Sequence, residues 1–210
     1  MVLRNNTANL GTKTLLDVGC GDGRFCYEMK NEKIKITGLD YSKKAIQFAK
    51  AFNPKILFIN KDLIEYETNK KFDYIILIET LEHIKPELLD KFIKKIGDLS
   101  KKDGYLIITV SSVNLPLDKK HYQHFDKEKL EKILKNYYKV EKIIGHYKIG
   151  YKRKILRLIN LFFSISKFIF KNRSITKHIF AFEEKYFKKY LEICKPEEGT
   201  RIIACLTKKI

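Results

Sequence analysis

The chain has little from which to build a disulfide framework or a zinc site. Its 210 residues include only four cysteines, Cys20, Cys26, Cys194 and Cys205. None shows paired C-x-x-C spacing, and a chain of this length buries enough core to fold without cross-links. Reduced thiols in a cytoplasmic protein are expected. The opening stretch "MVLRNNTANLGTKT" lacks a continuous apolar segment, which argues against a secretory signal. Arginine is also scarce: of 43 basic residues only 6 are arginine and 37 are lysine. Arginine is the preferred side chain for bidentate recognition of phosphates and bases, so the net charge of +18 is weak evidence for a nucleic-acid partner. Abundant lysine, isoleucine, asparagine, tyrosine and phenylalanine match a coding bias toward A and T. No internal repeat or low-complexity tract interrupts the chain.

Apolar runs do alternate with amphipathic segments. "TLLDV" (14–18), "KIKITGLD" (33–40), "ILFIN" (56–60), "FDYIILIE" (72–79) and "GYLIITV" (104–110) read as buried parallel strands. Helices are expected from about Asp22, after the N-cap Ser42 with the face Ala45, Ile46, Ala49 and Phe52, from Pro86, and from Asp126. "YKVEKIIGHYK" (138–148) and "TRIIACLTK" (200–208) complete the set, separated by about fifty residues, far beyond a usual connection. The alternation predicts an α/β fold with a doubly wound sheet and right-handed crossovers.

Ten glycines serve the whole chain, yet three of them, Gly19, Gly21 and Gly23, stand at alternate positions in "LLDVGCGDGRF". They fall where the first strand turns into the first helix, the place where open α/β sheets bind ligands, and glycine there admits positive φ and close approach to the backbone. Asp40, ending the second strand, is placed to accept both hydroxyls of a ribose, so an adenosine-containing cofactor is implied. A dinucleotide fingerprint needs G-x-G-x-x-G, and the required third position is Arg24.

The stretch resembles the first motif of class I S-adenosylmethionine-dependent methyltransferases, matching at Asp17, Gly19, Gly21 and Gly23. "GLDYS" is similar to the family's second motif, which implies Asp40 on the ribose and Tyr41 against the adenine. "NKDLIEY" resembles the third, with Asp62 for the adenine amino group and Leu63 offering a backbone amide. "FDYIILIETLEHI" resembles the fourth strand and its exit, with Glu79 near the methionine end. The resemblance implies a Rossmann-like, mostly parallel seven-stranded sheet with an antiparallel last strand and a helical insertion before it, in one domain spanning 1–210.

Methyl transfer to a hydroxyl requires an aligned nucleophile and a base. His83, after the fourth strand, and His121 and His124, after the fifth, are the candidates, whereas His146 and His178 lie elsewhere. Each histidine also has a structural reading as a helix cap or loop anchor. Glu79, Glu82 and His83 form E-x-x-E-H, which resembles the metal-binding motif of small-RNA 3′-terminal 2′-O-methyltransferases and of O-methyltransferases in ubiquinone biosynthesis. His121 or His124 would complete a site for magnesium, manganese or iron(II), against the alternative of capping and cofactor contact.

The insertion, residues 151–195, is basic and greasy. From 142 to 182 there are ten Lys or Arg side chains and no acidic one. "ILRLINLFFSISKFIFK" (155–171) reads as a helix with a narrow polar stripe, too charged to span a bilayer. It is expected to be a lid over the acceptor site, a peripheral membrane-surface helix within 151–180, a dimer contact or an RNA surface. The expected activity is O-methylation of a small-molecule or lipid-like acceptor. RNA 2′-O-methylation and a noncatalytic, membrane-associated cofactor-binding role are the alternatives, the RNA reading opposed by scarce arginine and no recognisable RNA module.

Overall fold

The structure, a computed structural model, describes residues 12–30, 33–150, 154–155, 184–189 and 192–208. Among the described residues eight strands form one sheet: β1 (Lys13–Val18), β2 (Ile34–Asp40), β3 (Leu57–Asn60), β4 (Phe72–Ile78), β5 (Ser100–Ser111), β6 (Tyr138–Lys148), β7 (Ile193–Cys194) and β8 (Gly199–Lys208). Their order is β3-β2-β1-β4-β5-β8-β6-β7. Strands β1 to β5 are parallel, and β8 runs antiparallel between β5 and β6. The expected antiparallel last strand is therefore present, and the two-residue β7 adds an eighth member to the expected seven.

The continuous apolar runs are explained by burial on both faces. Successive strand side chains point to opposite sides, so Leu16 and Ile75 join a core under α3 (Leu89–Leu99) and α4 (Lys127–Leu134), while Leu15 and Ile76 join another under α1 (Arg24–Glu28) and α2 (Lys43–Phe52). The caps read from sequence are made: Ser42 accepts from the Ala45 amide at 3.3 Å and Asp126 from the Lys129 amide at 2.7 Å.

Two boundaries and one side chain differ from expectation. Helix α1 starts two residues after Asp22 because Gly21 and Gly23 hold positive φ. Strand β5 begins at Ser100, four residues early. The β4–β5 ladder shifts register between Phe72 and Tyr74, absorbing "KKDG" as an irregularity, and Lys101 bonds Asp73 across it. In α2, Ile46 and Ala49 are buried as expected, but Phe52 is 71% exposed and stacks on Phe48 instead.

The strand order reverses between β1 and β4, which opens a crevice at their carboxyl ends. The loops after β1, β2, β4 and β5 meet there. The antiparallel direction of β8 brings its first residues, Gly199 to Arg201, to the same edge, where Ser111 pairs with Arg201.

Candidate active site

A cleft of about 510 Å³ occupies this crevice, within the range typical of small-molecule sites. Its walls bring together Gly19, Asp40, Tyr41, Asp62, Leu63, Glu79 and His83 from four separate stretches of chain.

The glycine loop is shaped from both sides. A Cβ at Gly19 would lie 2.6 Å from Thr80 Oγ1, so glycine there lets the β1 turn pack against the β4 exit. A Cβ at Gly21 would meet nothing within 4 Å, so this glycine, at φ 54°, leaves its backbone open to a ligand. Thr80 joins the two strand ends by donating to the Val18 and Ile78 carbonyls at 3.2 and 3.1 Å.

Asp40 is oriented before any ligand arrives. Its Oδ2 accepts from the Gly21 amide at 2.9 Å and its Oδ1 from the Ser42 amide at 2.8 Å. Each oxygen therefore keeps a second lone pair, which suits two vicinal hydroxyls. Asn60 fixes the loop behind it, donating to the Asp40 and Tyr41 carbonyls at 3.0 and 2.8 Å. Asp62 accepts from the Ile64 amide at 2.7 Å through one oxygen, and Tyr41 stands 78% exposed at the mouth. This donor and acceptor set fits an adenosine. Asp40→Ala should weaken binding of S-adenosylmethionine and of S-adenosylhomocysteine by about 1.5 to 3 kcal/mol, the usual scale of hydrogen bonding to a charged group. Calorimetry on the folded variant tests this, and an unchanged affinity would contradict the assignment.

Asp17 sits beneath the loop, 2% exposed, with the Cys26 thiol donating to its Oδ2 at 3.2 Å. Burial is the main cause that raises its pKa from 3.8 to about 6, and the charge of Asp40 adds to it. Burial likewise raises the Cys20 and Cys26 thiols far above their ordinary range, so both stay protonated and unreactive. All four cysteines are free.

The E-x-x-E-H residues turn to separate partners. Glu79, at a φ of 49°, accepts from Thr109 Oγ1 at 3.2 Å, Ser111 Oγ at 3.3 Å and Arg201 Nε at 2.9 Å. Glu82 is fully buried. Its Oε1 accepts from the Ser111 amide at 3.1 Å, and its Oε2 has no hydrogen-bond partner among the described residues. His83 Nδ1 lies 3.1 Å from the Lys120 carbonyl. Among the described residues no three His, Cys, Asp or Glu side chains are arranged to hold a metal ion.

The three candidate histidines do converge. The rings of His83 and His121 meet edge to face at 4.7 Å, and His121 Nδ1 lies 2.8 Å from His124 Nε2. His124 Nδ1 faces the Leu115 carbonyl at 3.2 Å. Carbonyls only accept, so Nδ1 carries the proton in both His83 and His124. Neutral His124 then accepts from His121 through Nε2, which leaves the Nε2 lone pairs of His83 and His121 available. Of the three histidines only His83 lines the cleft, while His124 is 8% exposed with both ring nitrogens engaged. The loops that carry them are joined by Tyr122 N to the Glu82 carbonyl at 2.9 Å and Gln123 Nε2 to the Ile84 carbonyl at 3.1 Å.

Sequence reasoning missed Thr80, Tyr122 and Arg201, and it set His146 apart although His146 pairs opposite Arg201 at the same sheet edge. The "Thr-Leu-Glu-His" spacing gave no sign of a contact back to Gly19, and Arg201 lies 122 residues from Glu79. His178 and the expected lid or membrane helix over 155–171 lie outside the described residues, Ile155 apart. Among the described residues no helix is long and apolar enough to cross a membrane.

The sequence profile of the family described as a methyltransferase domain matches residues 2–146. A carboxy-S-adenosyl-L-methionine synthase of Nautilia profundicola is 31% identical over 68% of this chain and 59% of its own length. A ubiquinone biosynthesis O-methyltransferase of Pelagibacter ubique is 34% identical over 54% of this chain and 48% of its own. The chain thus spans about half the length of these curated relatives. Among solved structures, a SAM-dependent methyltransferase of Methanosarcina mazei superposes with a TM-score of 0.65 at 13% identity, covering 100% of this chain and 97% of that one, a likeness of fold alone.

Proposed function

This chain belongs to the methyltransferase-domain family, that of the class I S-adenosylmethionine-dependent enzymes, and from that premise we propose that it methylates a hydroxyl of a small acceptor with His83 as general base. The cofactor, when bound, supplies a methyl group already activated on positively charged sulfur. The chain's own residues have to hold an acceptor oxygen in line and remove its proton.

The observation that carries the reading is the protonation pattern of the histidine cluster. Lys120 holds the proton of His83 on Nδ1, so Nε2 is the basic nitrogen, and it belongs to a side chain in the cleft wall. His121 braces that ring at its edge, and His124, anchored on Leu115, orients His121. An amine whose lone pair is already free has less use for such a base, so the arrangement favours oxygen. The likeness to an O-methyltransferase of ubiquinone biosynthesis agrees.

Labelled S-adenosylmethionine offered with catechols, small amines and total RNA tests the proposal. Label should enter the hydroxyl acceptors, and turnover should survive exhaustive chelation. Label confined to amines or to RNA would overturn it.

A further inference from the structure

Arg201 occupies an unusual setting. Among the described residues only two non-glycine residues adopt positive φ, Glu79 at 49° and Tyr147 at 62°, and both contact Arg201. Glu79 Oε2 accepts from its Nε at 2.9 Å, and the Tyr147 ring lies under its guanidinium carbon at 5.8 Å. Backbone strain of this kind persists where the surroundings over-determine it, and it gathers at functional sites. Here it holds one planar cation by an edge and a face. The side chain is still 42% exposed, at the sheet edge where Glu79 enters the cleft wall.

From this geometry we infer that the Nη1–Nη2 edge of Arg201 binds a carboxylate carried by the acceptor, making Arg201 a specificity-determining residue. The inference deepens the proposed O-methylation and rests on it only for the nucleophile. A guanidinium presents its donors as rigid forks. Nε is committed to Glu79, and the terminal edge has no hydrogen-bond partner among the described residues. In a chain with 37 lysines and 6 arginines, a fork at this place offers what a lysine ammonium does not, paired parallel hydrogen bonds to a planar anion.

Charge decides between carboxylate and phosphate. Glu79 already offsets the unit charge of Arg201, so an anion is held by the paired donors of the fork rather than by net charge, and a dianionic phosphate meets more repulsion from Glu79 than a carboxylate does. A dianionic phosphate would call for a second cation. The nearest candidate in the ladder is His146, whose pKa is lowered chiefly by burial, with Arg201 reinforcing the effect against Glu192 and Glu79.

The test titrates S-adenosylhomocysteine-loaded protein with 3,4-dihydroxybenzoate, its neutral amide and 3,4-dihydroxyphenyl phosphate. The wild type should bind the acid at least tenfold more tightly than the amide. In Arg201→Gln the two should fall within threefold of each other. Arg201→Lys keeps a cation beside Glu79 and should retain only part of the preference. Equal or absent binding by the wild type, a preference that survives in Arg201→Gln, or tighter binding of the phosphate would overturn the inference. So would a tenfold loss of S-adenosylhomocysteine affinity in Arg201→Gln, which would assign the fork to the cofactor's own amino acid tail. Methyl transfer separates the two readings: an acid bound selectively but never methylated leaves Arg201 its role and removes O-methylation, whereas acid and amide methylated with equal kcat/KM does the reverse.

Discussion

Replacing His83 with Ala should lower kcat/KM for a hydroxyl acceptor by about 10²- to 10⁴-fold, the usual worth of a positioned general base. That corresponds to about 3 to 5 kcal/mol of barrier. His83 comes from the loop after β4, not from the loops that carry Asp40 and Asp62, so affinity for S-adenosylhomocysteine should stay nearly unchanged. His121→Ala and His124→Ala should give smaller losses, because these rings act through His83, with His124 tied to Leu115 and His121 to His124. A His83→Ala enzyme of full activity would remove the base and with it the main argument for oxygen.

The parts of this site that were legible in the sequence are those encoded locally. Gly19 and Gly21 advertise themselves because a positive φ is a property of single residues, and Asp40 because a strand end and the turn after it are contiguous in the chain. The apolar runs of β1 and β4 announced burial on both faces for the same reason. What stayed hidden depends on register between distant strands. Arg201 reaches Glu79 only because β8 is antiparallel and inserts beside β5, and the protonation order of three histidines depends on which carbonyls the folded loops present. The E-x-x-E-H spacing suggested chelation, yet the αL turn at Glu79 sends that carboxylate toward Arg201 while Glu82 turns into the core.

Asp17 is expected to make stability depend on pH. Its pKa is about 6 in the folded protein against an ordinary 3.8, because burial penalises the charged form more than the Cys26 thiol relieves it. Between those two values the native state holds a proton that the unfolded chain has released, so stability falls as pH rises through this window. The group favours the fold fully below about 3.8, and that contribution is lost once pH passes about 6. The difference of about two pKa units corresponds to about 3 kcal/mol. Asp17→Asn is nearly isosteric and cannot ionise. It should therefore be more stable than the wild type at pH 7.5, by up to about 3 kcal/mol, and should lose most of that advantage at pH 4. Urea denaturation at the two pH values measures this directly. A variant whose advantage is the same at both, or which is destabilised at pH 7.5, would show that the carboxylate is better compensated than its burial implies. A carboxylate beneath Gly19 would favour a cation bound above the loop, such as the sulfonium or ammonium of S-adenosylmethionine. The same variant should then bind the cofactor more weakly in the range where the wild-type carboxylate is ionised, and the two proteins should converge as the pH falls below about 6.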